Sequence, residues 1–459
     1  MLKTITPIDN SLLVERKYAS EAEIDTALQN SYEARKKWKE TSLSERKEVV
    51  TKFVKCFLSN NTEIVENLCK QIGRPISQCP GEMRGFEERA NYMIDNADRA
   101  LEDVVSRKDN EFDNYIKKEP LGTIFVIAPW NYPFNTSVNS IVPSLLSGNT
   151  VILKHSSQTP LCAEQLFNAA IEASLPKNIF QFLHLDHHST SKIISDQRIN
   201  HVLFTGSVSG GIEVKKSIGT RFIGAGLELG GKDPAYVKSD CNLDHAIENL
   251  VDGSYFNSGQ SCCGIERIYV DEKIYHKFID GFKSLTEKYI LGDPTEKNTN
   301  LGPVVRLKAA EYIRAQVSKA NNEGANNIID QKIFKMDDGF NCYVGPSALV
   351  DVDHSMEFMK EETFGPTVGI MKVRNEKEAI KLMNDSAYGL TASVWTSDKE
   401  FAKEMGSKIE TGTFFMNRCD YLDPGLAWTG VKDTGMGVTL SVLGFDQLTR
   451  AKSYHIRTI

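Results

Sequence analysis

Apolar residues recur at helical spacing through much of the first hundred residues of the chain. Three segments, 21–38, 44–60 and 81–102, place apolar side chains three or four positions apart, with charged and polar residues between them. That period matches the turn of an α-helix that buries one face. The pattern predicts a helical entry to a larger domain.

Further along, the pattern changes to short runs of β-branched and other apolar residues. Runs at 122–128 and 150–153 are separated by a helical pattern over 138–146, and similar runs follow at 201–204 and 235–237. Strands that alternate with helices are typical of parallel sheets covered by helices on both faces. The sequence therefore predicts an α/β fold built on a parallel, doubly wound sheet.

A second α/β unit is expected between residues 232 and 434. Its own strands are predicted at 267–270, 367–373 and 392–395. The last residues, 451–457, also alternate in the manner of a strand. Because a strand at a chain end needs a partner edge, this one is expected to pair with another subunit.

Composition narrows the class of function. The chain has 459 residues, 41% hydrophobic and 25% charged, as in a globular protein of two or three domains. A net charge of −7 without any Lys/Arg-rich block gives no electrostatic footprint for nucleic acid or an anionic membrane. No segment approaches the roughly 18 apolar residues of a membrane span. We expect a cytoplasmic protein that acts on small molecules.

Cysteine usage gives no sign of a disulfide framework or a zinc site. The nine cysteines are scattered and contain no Cys-x-x-Cys pair, so we expect reduced thiols. Three histidines, His184, His187 and His188, share one polar segment, but no carboxylate-rich partner set accompanies them. We therefore predict no metal.

A thiol and a distant carboxylate, both beside glycines, suggest covalent chemistry on a carbonyl. Cys262 follows Gly259, and Glu228 precedes a Gly-Gly pair. A thiolate is a strong nucleophile, and a nearby glycine would let a substrate approach it. A partly desolvated Glu228 would have a raised pKa and could act as a general base. Taken alone, Cys262 is more typical of a buried structural thiol.

Four further segments accompany these two in a fixed order over residues 129–366. They are Pro129-Trp130-Asn131-Tyr132-Pro133, Lys154, Phe204-Thr205-Gly206-Ser207 and Glu361-Glu362-Thr363-Phe364-Gly365-Pro366. With them, the whole chain resembles the NAD(P)-dependent aldehyde dehydrogenase superfamily. One such motif alone is only a hypothesis, but six in order are specific.

The resemblance implies a Rossmann-like coenzyme-binding domain, an α/β catalytic domain and a small oligomerisation β-extension. The implied boundaries are 1–101 with 121–231 for the coenzyme-binding domain, 232–434 for the catalytic domain, and 102–120 with 435–459 for the oligomerisation segments. A homodimer or homotetramer is expected.

The resemblance also implies catalytic roles. Cys262 matches the nucleophile that attacks the aldehyde, and Asn131 matches the donor that stabilises the resulting oxyanion together with the Cys262 backbone N–H. Glu228 matches the base that activates water to hydrolyse the thioester. The expected reaction is oxidation of an aldehyde to a carboxylic acid.

Other matched residues imply a nicotinamide coenzyme. The residues expected to bind it are Trp130, Lys154, Ser157, Gly206, Ser207, Glu362 and Phe364. Relatives that prefer NAD carry a glutamate at the position of Ser157, where an acid repels the 2′-phosphate of NADP. Lys154, His155 and the serines after it could instead donate to a phosphate. Either NAD or NADP is expected, with a lean to NADP.

Two positions bear on the substrate. Relatives that oxidise semialdehydes carry an arginine where this chain has Asn139, and relatives place a tunnel aromatic where it has Trp428. With Tyr421 and Leu422 nearby, the sequence favours an uncharged aliphatic or aromatic aldehyde, although Arg418 could restore anion binding.

Two alternatives from other classes stay open. A coenzyme A-acylating dehydrogenase would need no water-activating base, so Glu228 argues against it. A non-enzymatic scaffold protein of the same fold would be expected to lose the nucleophile, base or oxyanion donor, and all three are present. A coenzyme-independent thiol hydrolase would leave the coenzyme motifs unexplained.

Overall fold

The computed structural model describes residues 1–459 and contains thirteen α-helices. The first two begin with capping boxes, in which Ser20 or Ser42 exchanges hydrogen bonds with a glutamate three residues later. The helices are α1 (Glu21–Trp38), α2 (Leu43–Ser59), α3 (Asn61–Ile72), α4 (Pro80–Ala100), α5 (Pro133–Leu146), α6 (Pro160–Glu172), α7 (His187–Ser195), α8 (Val208–Ile218), α9 (Leu243–Tyr255), α10 (Tyr275–Thr286), α11 (Leu307–Asn322), α12 (Glu376–Asn384) and α13 (Lys399–Gly406).

Twenty strands form two large sheets and three small ones. The strands are β1 (Leu2–Ile5), β2 (Leu12–Arg16), β3 (Val104–Lys108), β4 (Phe112–Pro120), β5 (Thr123–Ala128), β6 (Thr150–His155), β7 (Phe180–Phe182), β8 (His201–Thr205), β9 (Gly224–Glu228), β10 (Asp233–Val237), β11 (Ile265–Asp271), β12 (Asn326–Asn327), β13 (Ser347–Val350), β14 (Thr367–Val373), β15 (Tyr388–Gly389), β16 (Thr391–Trp395), β17 (Thr413–Met416), β18 (Val431–Lys432), β19 (Gly435–Met436) and β20 (Thr449–Arg457). Short 3₁₀ helices cover Phe256–Gly259, Gln331–Ile333, Glu357–Met359 and Val442–Leu448.

The first large sheet has six strands in the order β19-β9-β8-β5-β6-β7. All neighbours are parallel except β19, which pairs antiparallel with β9. The chain runs outward from β5 to β7 and then returns to β8 on the other side of β5. The strand order therefore reverses between β5 and β8, and ligands of such sheets bind at the carboxyl ends of the strands beside this point. The predicted parallel sheet is confirmed.

The second large sheet has seven strands in the order β12-β13-β14-β11-β10-β16-β17, parallel except for β12. It includes the three strands predicted at 267–270, 367–373 and 392–395. Strand β10 begins only five residues after β9 ends, so the two large sheets come together at the segment 229–232.

A three-stranded antiparallel sheet, in the order β20-β4-β3, contains the chain terminus. The terminal strand predicted from 451–457 is present as β20, but its partner edge is β4 of the same chain. Tyr115 and Tyr454 stack across this pair with ring centroids 4.7 Å apart. One edge of β20 is thus paired along all nine of its residues within the chain, and pairing of its other edge with another subunit stays a prediction.

Among the elements that the sequence pattern did not predict are β1, β2 and α3. The hairpin β1–β2 is short, and α3 follows α2 after only one residue, so it merged with the preceding helical pattern. None of the helices combines the length and apolar composition that crossing a bilayer requires.

Candidate active site

The loop that carries Cys262 is a tight turn between α9 and β11. Asn257, Ser258 and Gly259 have positive φ angles of 51°, 56° and 68°. A Cβ atom on Gly259 would lie 2.1 Å from the carbonyl oxygen of Gly365, so glycine is required for that neighbouring loop to approach. Gly259 therefore fixes loop packing, which differs from the substrate access inferred from the sequence.

Cys262 is half-buried and faces a cavity of about 350 Å³. Glu228 lies on the wall of the same cavity. The backbone N–H of Cys262 donates no hydrogen bond within the protein, so it is free to meet a ligand. The fold thus brings two of the predicted catalytic residues together from different sheets.

Asn131 is buried behind the nucleophile loop and is not among the residues that line the cavity. Its Nδ2 donates to the carbonyl oxygen of Gln260 at 3.3 Å, two residues before Cys262. One amide hydrogen remains free. The carbonyl of Asn131 accepts a hydrogen bond from Arg74, which also donates to Asn257 Oδ1 at 3.0 Å. Asn131 is therefore fixed to the loop that carries the thiol.

A buried ion pair that was not predicted from the sequence holds the nucleophile loop in place. Arg74 Nη1 donates to Glu82 Oε2 at 2.6 Å, and both side chains are almost completely buried. The other oxygen of Glu82 accepts the backbone N–H groups of Phe134 and Asn135, in the first turn of α5. Glu82 thus joins α4, the N-terminus of α5 and the nucleophile loop through Arg74.

Glu228 ends β9 and is held by two hydroxyl groups. Thr439 donates to its Oε1, and Thr205 donates to its Oε2 at 3.2 Å. Burial raises the pKa of the Glu228 carboxyl, and the two hydrogen bonds oppose that rise. This is the direction predicted from the sequence. A carboxyl with a raised pKa is suited to take a proton from water near neutral pH.

Cys263 behaves as a buried structural thiol. Its Sγ lies 3.0 Å from Asp420 Oδ1, which also accepts a hydrogen bond from Ser261. A hydrogen bond with Cys262, and then burial, raise the pKa of the Cys263 thiol well above its ordinary value. The neutral thiol is a poor nucleophile, so Cys263 is not suited to attack a carbonyl.

The residues predicted to bind the coenzyme gather at the carboxyl edge of the six-stranded sheet. Trp130 follows β5, Lys154 lies within the last two residues of β6, and Gly206 and Ser207 follow β8. Burial lowers the pKa of the half-buried Lys154. These strands flank the point where the strand order reverses, which is where a dinucleotide fits in such a sheet.

The turn into α8 is shaped for an anion. A Cβ on Gly206 would lie 2.6 Å from the ring of Phe204, so the turn closes over this ring only with glycine. Ser207 caps the helix through its side chain. The backbone N–H groups of Val208 and Ser209 donate no hydrogen bond within the protein. Free N–H groups at a helix start favour a phosphate.

Glu362 and Phe364 lie across the crevice from this turn. Glu362 Oε1 accepts the backbone N–H of Gly231 at 2.9 Å, and burial, followed by the charge of Glu266, raises the pKa of Glu362 to about 8. Phe364 has a φ of 54°, and its ring meets Trp130 edge-on with centroids 5.6 Å apart. The fold therefore brings Trp130 and Phe364 into contact, as expected for residues beside one ligand.

One expected phosphate donor is excluded. His155 is buried, hydrogen-bonds to Thr159 Oγ1 at 2.9 Å and accepts the N–H of Ser156 at 3.1 Å. Burial lowers the pKa of His155 to about 3, so the ring is neutral and structural. Ser157 is exposed, with a hydroxyl that makes no hydrogen bond in the protein, and it remains a candidate for the adenosine side of the site.

The predicted substrate residues are on the cavity wall with one exception. Asn139, Trp428, Tyr421 and Leu422 all line it. Arg418 does not, because it is exposed and its guanidinium lies 3.4 Å from the centroid of the Tyr421 ring. Arg418 therefore cannot supply the anion binding that the sequence left open.

The three histidines of the polar segment 184–188 have different surroundings. His184 lies 3.0 Å from Glu164 Oε1, while His187 and His188 begin α7, and no group of three potential metal ligands is found.

Arg89 is a cavity residue that was not predicted from the sequence. The helical pattern does not show that it is buried, because its burial depends on the packing of α4 against α5.

Comparison with known proteins identifies the family of this chain. The model of the aldehyde dehydrogenase family matches residues 1–454. The succinate semialdehyde dehydrogenase Sad of Escherichia coli is 30% identical over 444 residues, covering 97% of this chain and 95% of that protein. A D-glyceraldehyde dehydrogenase (NADP(+)) of Picrophilus torridus is 28% identical, with coverages of 99% and 92%.

Solved structures match over the full length. The NADP+ complex of succinic semialdehyde dehydrogenase from Streptococcus pyogenes has a TM-score of 0.93 at 28% identity, covering 100% of both chains. The NAD-dependent aldehyde dehydrogenase from Sinorhizobium meliloti has a TM-score of 0.95 at 27% identity, covering 99% of this chain and 91% of that one. The predicted resemblance and fold are confirmed: this chain belongs to the aldehyde dehydrogenase family and is an oxidoreductase that converts an aldehyde to a carboxylic acid with NAD or NADP.

Proposed function

We propose that Cys262, Glu228 and Asn131 carry out this oxidation in the roles of nucleophile, general base and oxyanion donor. The observation that supports this most directly is the presence of Cys262 and Glu228 on one cavity wall. The free N–H of Cys262 and the fixed amide of Asn131 support the oxyanion role.

In the first step, the Cys262 thiolate attacks the aldehyde carbon, and the carbonyl oxygen becomes an oxyanion. The Cys262 N–H and the Asn131 amide donate to that oxygen, and in comparable acyl-transfer sites one such donor contributes about 3 to 4 kcal/mol. Coenzyme bound in the crevice supplies the hydride acceptor, which leaves an acyl group on sulfur. Glu228 then takes a proton from water, whose oxygen attacks the acyl carbon and releases the acid and the thiolate.

Glu228 also favours hydrolysis of the thioester over transfer of its acyl group to coenzyme A. A raised pKa and a position on the cavity wall suit a base that acts on water. A thiol acceptor would not need this base. The hydrolytic reaction is therefore the one proposed.

The coenzyme is proposed to lie along the carboxyl edge of the six-stranded sheet. The N–H groups that open α8, after Gly206 and Ser207, suit its pyrophosphate, Trp130 and Phe364 suit the nicotinamide side, and Glu362 suits a ribose. NADP is favoured over NAD because Ser157 offers a hydroxyl and no negative charge to a 2′-phosphate. Lys154, half-buried at the end of its strand, adds a positive charge there.

The remaining organisation follows the same assignment. Residues 1–101 with 121–231 are proposed as the coenzyme-binding domain and 232–434 as the catalytic domain. Segments 102–120 and 435–459 are proposed to join subunits in a homodimer or homotetramer, since Val104, Val105 and Ile456 leave apolar surface exposed on the three-stranded sheet. Nine free thiols support a reducing compartment such as the cytoplasm.

The test is coenzyme reduction at 340 nm with NAD and NADP on a panel of neutral and charged aldehydes, for wild type and two cysteine variants. Cys262→Ala is expected to abolish reduction while coenzyme binding is retained. Cys263→Ala, a matched change at the neighbouring thiol, is expected to keep reduction measurable. Retained activity in Cys262→Ala would refute the proposed nucleophile.

A further inference from the structure

The cavity that holds the proposed nucleophile contains a buried arginine without a carboxylate partner. Arg89, on α4, is 8% exposed and lines this cavity. Its single hydrogen bond within the protein runs from Nη1 to the carbonyl oxygen of Asn135 at 2.8 Å. An arginine remains charged in proteins, and burying such a charge unpaired is costly. A ligand anion would remove that cost.

Arg74, the other buried arginine of the site, has hydrogen-bond partners for all three of its guanidinium nitrogens. Arg74 donates to the Glu82 carboxylate, to Asn257 Oδ1 and to the carbonyl of Asn131. Both oxygens of Glu82 are occupied, by Arg74 and by two backbone N–H groups. No hydrogen bond or ion pair joins Glu82 to Arg89.

Two side-chain amides on α5, the helix whose Asn135 carbonyl accepts the Arg89 hydrogen bond, are also without partners. Asn135 and Asn139 are 7% and 3% exposed, both line the cavity, and the Oδ1 of each is buried with no hydrogen bond. The Nδ2 groups donate to no protein acceptor either. A Cβ on Gly85 would lie 2.7 Å from the Asn135 amide, so a glycine on α4 makes the room in which this amide sits.

The acidic residues around the cavity are engaged elsewhere or lie at its mouth. Glu228 and Asp420 are held by hydroxyl and thiol donors, Glu82 is paired with the other arginine, and Glu88 accepts from a tyrosine hydroxyl. Asp252 is exposed. None forms an ion pair with Arg89, so its guanidinium remains open to a substrate.

We propose that Arg89, with the amides of Asn135 and Asn139, binds the carboxylate of a substrate that carries its aldehyde at the other end, a short ω-oxo acid. A guanidinium presents two parallel N–H groups that match a carboxylate, and neutral amides can complete its shell. The buried part of the site offers one positive charge and two neutral amides, which suit a monoanion better than a phosphate dianion, whereas Arg84 on the same cavity wall is exposed.

The geometry also fits the chemistry. Arg89, Cys262 and Glu228 line the same cavity, so one small molecule can reach the guanidinium and the reacting groups together. A cavity of about 350 Å³ then holds both ends of a small molecule. This inference rests on the proposed function, and it replaces the expectation of an uncharged aldehyde, which considered Trp428, Tyr421 and Leu422 without Arg89.

The test compares 4-oxobutanoate with its methyl ester, which keeps the length and removes the charge. Wild type is expected to have the higher kcat/KM for the acid. Arg89→Gln is expected to lower kcat/KM for the acid about 10- to 100-fold, mostly through KM, while the ester changes less than about threefold. Arg89→Lys should recover part of the loss. Arg374→Gln, at an exposed arginine outside the cavity that pairs with Glu378, is the matched control and should leave both values unchanged.

Other outcomes distinguish a failure of the carboxylate site from a failure of the proposed function. Equal loss for acid and ester in a folded Arg89→Gln, or wild-type preference for the ester, for 4-aminobutanal or for glyceraldehyde 3-phosphate, would overturn the carboxylate site and leave aldehyde oxidation standing. If Arg89→Gln fails to fold, competitive inhibition of wild type by succinate but not by succinamide supports the site, and no difference overturns it. Failure of wild type to oxidise any aldehyde while it binds coenzyme would instead contradict the proposed function.

Discussion

At the scale of single residues, burial sets the chemistry of this site. Glu228, Glu362 and His155 are all moved toward their neutral forms, because a low-dielectric surrounding disfavours charge. Burial has different consequences at different residues. It makes Glu228 suited to proton transfer, and it leaves the His155 ring neutral and structural.

Glu362 gives a prediction for pH. The pKa of its carboxyl is raised to about 8, so it is mostly protonated at pH 7 and becomes a carboxylate, a better acceptor for ribose hydroxyls, as the pH rises through 8. Coenzyme affinity is therefore expected to increase between pH 7 and pH 9. Titration of coenzyme by intrinsic fluorescence at several pH values measures this, with Glu362→Gln as the control that should flatten the profile. An identical slope in both proteins would contradict the assignment.

At the scale of elements, the site depends on how α4 and α5 pack against the nucleophile loop. Glu82 in the first turn of α4 binds the N-terminus of α5 and the buried Arg74. The helical pattern of the sequence predicted α4 but did not identify which of its charged residues are buried. Periodicity cannot distinguish a solvated charge from a buried one, because the difference lies in partners that are distant in sequence. Arg74, Glu82 and Arg89 were missed for that reason.

Removing Glu82 should therefore cost far more than removing a surface carboxylate. Glu82→Gln leaves the Arg74 charge buried without a counter-ion, and the free energy of unfolding is expected to fall by about 3–5 kcal/mol. Glu33→Gln, which breaks an exposed pair with Lys36 on α1, is expected to change it little. Denaturant unfolding of both variants measures the difference. Equal decreases in the free energy of unfolding for the two variants would contradict the prediction.

At the scale of the whole molecule, the active site is formed where two sheets meet. Glu228 ends a strand of the six-stranded sheet, and Cys262 precedes a strand of the seven-stranded sheet. The motifs located these residues because the chemistry restricts them to particular residue types beside glycines. The partner of the terminal strand could not be predicted, because a strand pattern does not specify which edge receives it.

The central claim is that Cys262 and Glu228 act in sequence on one substrate, and pre-steady-state coenzyme reduction by Glu228→Gln tests it most directly. The variant should still form the acyl enzyme, giving a burst of about one reduced coenzyme per active site, followed by steady turnover roughly 100-fold or more below wild type. Added hydroxylamine should release the trapped acyl group. Steady turnover equal to that of wild type, or a slow rate without any burst, would contradict the account.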